Sequence, residues 1–106
     1  MKIETFYKPV FELTLTKQVV ELLVKLSNTH YDGACKLAPR QGGLLFRWLN
    51  QIEFETPCTA TFRELDLTLK IAENRHFLDK SDVVLINIYC VKVRNALNKV
   101  NNYEQD

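Results

Sequence analysis

The sequence predicts a single α+β domain in which helices pack against a small antiparallel sheet of about three strands. Short runs of alternating apolar and polar residues occur near residues 10–15 and again over residues 52–61, as expected for strands. The remaining segments have apolar residues at helical spacing, and the last of them predicts a long C-terminal helix. At 106 residues the chain is large enough to bury one hydrophobic core without cross-links.

The first predicted strand spans residues 10–15, where Phe11, Leu13 and Leu15 alternate with polar residues. Thr16 then has the position of an N-cap for a helix that ends at Leu26 or Ser27. The apolar side chains of this helix recur at helical spacing, at Val19, Leu22, Leu23 and Leu26. The junction between strand and helix is therefore expected to be tight.

Residues 28–50 concentrate the rare residue types, including all three glycines and the only tryptophan. Two interpretations of the first part remain open: a short second helix over residues 30–38, or a continuation of the first helix through Gly33. Both end before Pro39, because the residue that precedes a proline disfavours the helical conformation. We then expect residues 40–43 to be a loop, followed by a helix of about two turns over residues 44–50.

Residues 52–61 predict a β-hairpin. Residues 52–55 and 58–61 each alternate between apolar and polar side chains, and Thr56-Pro57 lies between them as the turn. Together with the first strand, this hairpin gives the sheet its three expected strands.

Thr61 and Glu64 have the spacing of a capping box, which predicts a helix starting there and running to residue 73. We expect this helix to bury Phe62, Leu65, Leu69 and Ala72. A polar connection containing His76 follows over residues 74–80.

The last helix is predicted to begin at an N-cap, Asp79 or Ser81, and to reach about residue 100. Its apolar positions alternate in steps of three and four: Val83, Ile86, Cys90, Val93, Leu97 and Val100. Its first half is apolar almost all round, so we expect this helix to be central in the domain or shared with a second subunit.

Composition excludes several classes of function. The net charge of +1 gives no general attraction to nucleic acid or to an anionic membrane. No apolar run has the length of a signal peptide or a membrane span. Three widely spaced cysteines fit reduced, mostly buried thiols better than a disulfide framework or a zinc site. We therefore expect a cytoplasmic protein.

The candidate catalytic and metal-binding residues fit structural roles better than functional ones. His30 and Cys35 could form a nucleophilic pair oriented by Asp32, but five residues along one helix place them more than about 100° apart. A metal site from His30, Asp32 and His76 lacks further ligands at suitable spacing. The nearby carboxylates, Glu53 with Glu55 among them, come with no second feature of an acid/base enzyme. No catalytic residue, metal ligand or cofactor is predicted.

The segment from Arg40 to Gly43 is the strongest candidate for ligand binding. Two glycines allow close approach of the backbone, and the following helix would present free N–H groups to an anion. Arg40 and Arg47 could add charge-assisted hydrogen bonds, and Tyr31 or Trp48 could stack on a base. The alternatives are a plain glycine turn with Trp48 in the core, or a loop that contacts a protein.

Three stretches, H-Y-D-G-A-C, Q-G-G-L-L-F-R-W-L-N and T-F-R-E-L-D-L-T-L-K, together resemble small proteins encoded by bacteriophages and related mobile elements. The resemblance covers about residues 10–72. It implies an accessory protein in a bacterial cytoplasm that binds and blocks a host component, and it carries no defined activity or catalytic residue.

The resulting hypothesis is a non-enzymatic binding protein that sequesters either a host protein or a small anionic ligand such as a nucleotide. The ligand-binding residues predicted for it are His30, Tyr31, Arg40, Gln41 and Arg47. Self-association is expected through the C-terminal helix. The alternatives are a small enzyme that uses Cys35 or His30, and a purely structural oligomerisation module.

Overall fold

The computed structural model describes residues 10–28 and 37–105, with side chains over residues 11–28 and 37–99. Within them the strands are β1 (Val10–Thr14) and β2 (Pro57–Thr61), and a 3₁₀ helix spans Ala72–Phe77. The helices are α1 (Lys17–Asn28), α2 (Pro39–Gln51), α3 (Phe62–Ile71) and α4 (Lys80–Gln105). The described chain is thus mostly helical with one small antiparallel sheet, which fits the α+β class.

The prediction of β1 and of the tight junction to α1 is confirmed. The hydroxyl of Thr16 accepts a hydrogen bond from the Val19 N–H at 3.4 Å, which satisfies one of the free donors at the start of α1. The face that α1 buries consists of Val20, Leu22, Leu23 and Leu26. These side chains join a core in which Leu23, Leu45 and Ile86 are fully excluded from solvent.

The sheet has two strands within the described residues, so the expectation of three was wrong. β1 pairs with β2 in antiparallel register, with Phe11 opposite Ala60 and Thr14 opposite Pro57. The second half of the predicted hairpin is therefore real, but its partner is β1. Residues 52–55 form no strand.

The alternation over residues 52–55 does not reflect alternating burial. Ile52 is buried as the C-cap of α2, whereas Phe54 is 45% exposed. Glu55 adopts a positive φ of 60°, and its N–H donates to the Leu15 carbonyl at 2.8 Å. The segment is therefore a tight connection that returns the chain to the end of β1.

The predicted loop over residues 40–43 was also wrong, because these residues form the first turns of α2. Pro39 begins the helix instead of only ending what precedes it; its missing N–H costs nothing at that position. The side-chain oxygen of Gln41 accepts from the Ala38 N–H at 3.0 Å, and the Gly42 N–H donates to the Ala38 carbonyl at 2.9 Å. These bonds offset the low helix propensity of two glycines.

The capping box at the start of α3 is confirmed. The Thr61 hydroxyl accepts from the Glu64 N–H at 3.2 Å, and the Glu64 carboxylate accepts from the Thr61 N–H at 2.9 Å. The buried face differs from the predicted one, since Thr68 is buried and Leu69 only partly so. Thr68 can be buried because its hydroxyl donates to the Leu65 carbonyl at 2.6 Å.

The long C-terminal helix is confirmed, and α4 extends five residues beyond the expected end, to Gln105. Its predicted seam faces the core of its own domain, where it buries Ile86, Cys90, Val93 and Leu97. Among the described residues, no helix combines the length and apolar character that crossing a membrane requires.

Candidate functional site

The outer face of α2 carries two of the predicted binding residues. Arg40 and Arg47 are both exposed, and their separation of seven residues places them on the same face, about 10 Å apart along the helix axis. Phe46, which is 47% exposed, precedes Arg47 and lies about 100° round the helix from it, also towards solvent. In the described part of the chain neither arginine forms an ion pair with a carboxylate. This arginine face therefore presents two available guanidinium groups, with an exposed aromatic ring at its border.

Gln41, the third predicted binding residue in this region, caps the helix. Its side-chain oxygen caps α2 at the Ala38 N–H, and the residue is partly buried. A ligand on the arginine face would therefore meet Gln41 only after this cap had opened. His30 and Tyr31 lie outside the described residues, as do Asp32 and Cys35.

A second surface, the α4 stripe, consists of Val84, Ile88 and Val91. These side chains are 57%, 50% and 55% exposed and recur at steps of four and three residues, so they form one continuous apolar line. The apolar composition of the first half of α4 signalled this surface in the sequence. The opposite side of α4 packs in the core, whereas the stripe contacts no partner in the described part of the chain.

A groove of about 420 Å³ separates β1 from α4. Its walls include every residue from Phe11 to Leu15 on one side and Lys92 and Ala96 on the other. A smaller groove of about 190 Å³ continues from the end of β1 towards Ile88. The groove system therefore connects the outer edge of β1 with the α4 stripe.

The described cysteines lack the surroundings of a nucleophile. Burial raises the pKa of the Cys58 thiol, which donates to the Leu13 carbonyl at 3.3 Å. Burial also raises the pKa of the Cys90 thiol, and the positive charge of Arg94 only partly opposes this effect. Both shifts disfavour the thiolate, which is the reactive form. This chemistry fits the packed thiols that composition predicted.

His76 is exposed on the 3₁₀ helix. Its Nδ1 lies 3.2 Å from the Glu73 carbonyl oxygen, and its ring centroid lies 4.1 Å from that of Phe77. No group of three or more histidine, cysteine or acidic residues suited to a metal occurs among the residues whose positions are described.

Two buried aromatic residues with polar groups flank the sheet. The Trp48 indole N–H donates to the Thr59 carbonyl at 2.9 Å, and the Tyr89 hydroxyl donates to the Thr68 hydroxyl at 2.7 Å. Burial raises the pKa of Tyr89 far above its ordinary range. A core position for Trp48 was one of the two alternatives that the sequence left open, but neither of these pairings was predicted.

Comparisons of this chain with protein-family models, with curated proteins and with solved structures gave no match.

Proposed function

We propose that this protein is a non-enzymatic binding protein that recognises an acidic surface of a partner protein through the arginine face of α2. The observation that carries the proposal is that Arg40 and Arg47 share an exposed face of a short helix, with the exposed ring of Phe46 at its border. Arginine and aromatic residues dominate the energetics of protein interfaces. Guanidinium groups also bind carboxylates with two parallel hydrogen bonds, which favours an acidic partner.

The partner we propose is a host protein in a bacterial cytoplasm, whose activity is blocked when it is bound. The resemblance to phage-encoded accessory proteins supports this choice, as does the rigid presentation of the two arginines. Because α2 is helical from Pro39 onwards, the guanidinium groups project from a fixed backbone and not from a glycine loop. A preformed surface of this kind loses less entropy on binding than a loop would.

Affinity capture from bacterial lysate tests this proposal. The double substitution Arg40→Glu with Arg47→Glu reverses the charge of the surface, and we expect it to weaken capture of the partner by about tenfold or more. The matched control is Lys70→Glu with Lys99→Glu, which makes the same change in net charge at exposed positions elsewhere. Equal capture by both double variants would contradict the proposal.

Calorimetry with a panel of nucleotides separates the protein partner from the small anionic ligand that the sequence also suggested. We expect no heat of binding for the purified protein. Saturable heat that disappears in the Arg40→Ala and Arg47→Ala variants would replace the protein partner with an anionic ligand at the same residues.

We also propose that the protein self-associates through α4. The α4 stripe supports this, because three large apolar side chains in line are costly to leave in water and dock readily on an equivalent surface. Ile88→Lys should raise the dimer dissociation constant by about a hundredfold, since a charge would replace an apolar contact on both sides of a symmetric interface. Asn87→Lys, at an exposed position beside the stripe, is the control.

A further inference from the structure

The two edges of the sheet differ in what covers them. In an antiparallel pair, the N–H and C=O groups of one residue both point towards the partner strand or both point away, and neighbouring residues alternate. The Thr59 carbonyl accepts from the Trp48 indole N–H, so the backbone N–H and C=O groups of Thr59 point away from β1. The outer edge of β2 is therefore closed by α2 at this residue. Glu12 lies opposite Thr59, so the Glu12 backbone must point away from β2.

The other residues of β1 agree with this assignment. Thr14 is two positions further and pairs with Pro57, which has no N–H to offer. The carbonyls of Leu13 and Leu15 point the other way and accept from the Cys58 thiol and the Glu55 N–H at 3.3 and 2.8 Å. The N–H and C=O groups of Glu12 and Thr14 therefore line the outer edge, and in the described part of the chain no hydrogen-bond partner meets them.

We propose that this edge of β1 pairs with the β1 edge of a second copy, so that two sheets join into one of four antiparallel strands. This inference rests on the proposed self-association and names its central contact. An exposed edge strand presents a row of unpaired groups that is satisfied by adding a strand. The groove beside it, with α4 as its other wall, provides the space that a second strand needs.

A twofold axis restricts the register of such a pairing. The outward-facing residues must be opposite one another, and two registers pair both Glu12 and Thr14 within β1: Glu12 opposite Glu12, and Glu12 opposite Thr14. The first register brings two carboxylates face to face, and like charges directly opposite are destabilising. The second places Leu13 on the axis and satisfies the backbone groups of Glu12 and Thr14 in both copies.

Charge favours a second copy as the occupant. Lys92 borders the same groove as Glu12 and Thr14, and in the described chain it forms no ion pair. In the second register, Glu12 of one copy comes opposite Thr14 of the other, on the groove that Lys92 borders. The continuation of the groove to Ile88 also brings the α4 stripe to the rim of the same contact. One interface would therefore use both surfaces.

The register with Glu12 opposite Thr14 is tested by measuring the dimer dissociation constants of two Thr14 variants by sedimentation equilibrium. Thr14→Lys places a cation opposite Glu12 of the second copy, and Thr14→Glu places a carboxylate there. We expect the lysine variant to dimerise more tightly than the glutamate variant, with dissociation constants about tenfold or more apart. Because Thr14 is exposed, both should keep the circular dichroism spectrum of the parent protein.

Thr14→Pro tests the backbone contact directly. It removes an outward N–H without touching the bonds to β2, and edge strands tolerate proline. We expect dimerisation at least about tenfold weaker. The control is Lys17→Pro, which removes an N–H at the first residue of α1, where none is needed.

The outcomes separate this inference from the proposed function. Dimers weakened by Ile88→Lys but unaffected by all three Thr14 variants would overturn strand pairing and leave association through α4 standing. A parent protein that remains monomeric at every concentration would overturn both. Opposite responses to Thr14→Lys and Thr14→Glu would establish the pairing of Glu12 with Thr14.

Discussion

Trp48 and Tyr89 are both nearly fully buried, at 4% and 5% exposure, but only Trp48 forms a hydrogen bond with an edge of the sheet. Trp48 uses its N–H to close the outer edge of β2 at Thr59. Tyr89 lines the groove beside β1, but its hydroxyl turns away to Thr68 on α3. The fold therefore closes one edge of the two-stranded sheet, whereas the other edge meets no hydrogen-bond partner in the described part of the chain. An isolated two-stranded sheet is marginally stable, so this asymmetry has structural consequences.

Trp48→Ala should have the largest effect, because it removes both a buried ring and the cover of the β2 edge. We expect the free energy of unfolding to fall by about 3–5 kcal/mol, measured by urea denaturation. Trp48→Phe keeps most of the packing but leaves the Thr59 carbonyl without its donor, and about 1–3 kcal/mol should be lost. A phenylalanine variant as stable as the parent would show that the indole N–H does not matter to this edge.

Alkaline pH should destabilise the protein through Tyr89, which lines the groove beside β1. Burial raises the pKa of Tyr89, so above its ordinary value near 10 the unfolded chain releases a proton that the folded chain retains. Unfolding is then favoured by up to about 1.4 kcal/mol for each further pH unit, and the stability present below pH 10 is progressively lost. Denaturation at a series of pH values measures this slope, and Tyr89→Phe should reduce it.

Tyr89→Phe at neutral pH should cost less than the loss of the Trp48 N–H, about 1 kcal/mol. Thr68 loses only the donor to its oxygen, because its own hydroxyl still donates to the Leu65 carbonyl. If Tyr89→Phe lowered the free energy of unfolding more than Trp48→Phe does, the hydrogen bond on the groove side would be the more important of the two.

Gly42→Ala should have the smallest effect and the opposite sign. A Cβ added at Gly42 meets nothing within 4 Å, and the residue lies inside α2. Alanine should therefore stabilise the protein by about 0.5–1 kcal/mol, seen as a higher melting temperature. A lower melting temperature would contradict the helical conformation of residues 40–43 and would favour the loop that the sequence suggested.

Local signals in the sequence were sufficient for several elements. Thr61 and Glu64 fixed the start of α3 because both partners of a capping box lie within four residues. The apolar spacing of α4 likewise predicted a long helix and its core face, although α4 runs five residues beyond the expected end. In each case the interactions that decide the structure are close in sequence.

The sequence failed where the same residue types serve two structures. Pro39 can end one helix or begin the next, and the glycines after it are typical of a loop, but in the structure Gln41 caps the helix at Ala38. Phe54 alternates with glutamates as a strand residue would, but it is exposed. The open edge of β1 is deduced from its register with β2 and from the hydrogen bond of Trp48 with Thr59, contacts that join residues far apart in sequence. No periodicity could have shown it.

Amide hydrogen exchange, followed residue by residue by NMR, tests the central claim that the β1 edge is kept for a second copy. The amides of Phe11 and Leu13 face β2 and should be protected at every protein concentration. Those of Glu12 and Thr14 should exchange rapidly in dilute solution and become protected as the dimer forms. Rapid exchange at Glu12 and Thr14 in a fully dimeric sample would contradict the account, as would protection at these residues in the monomer.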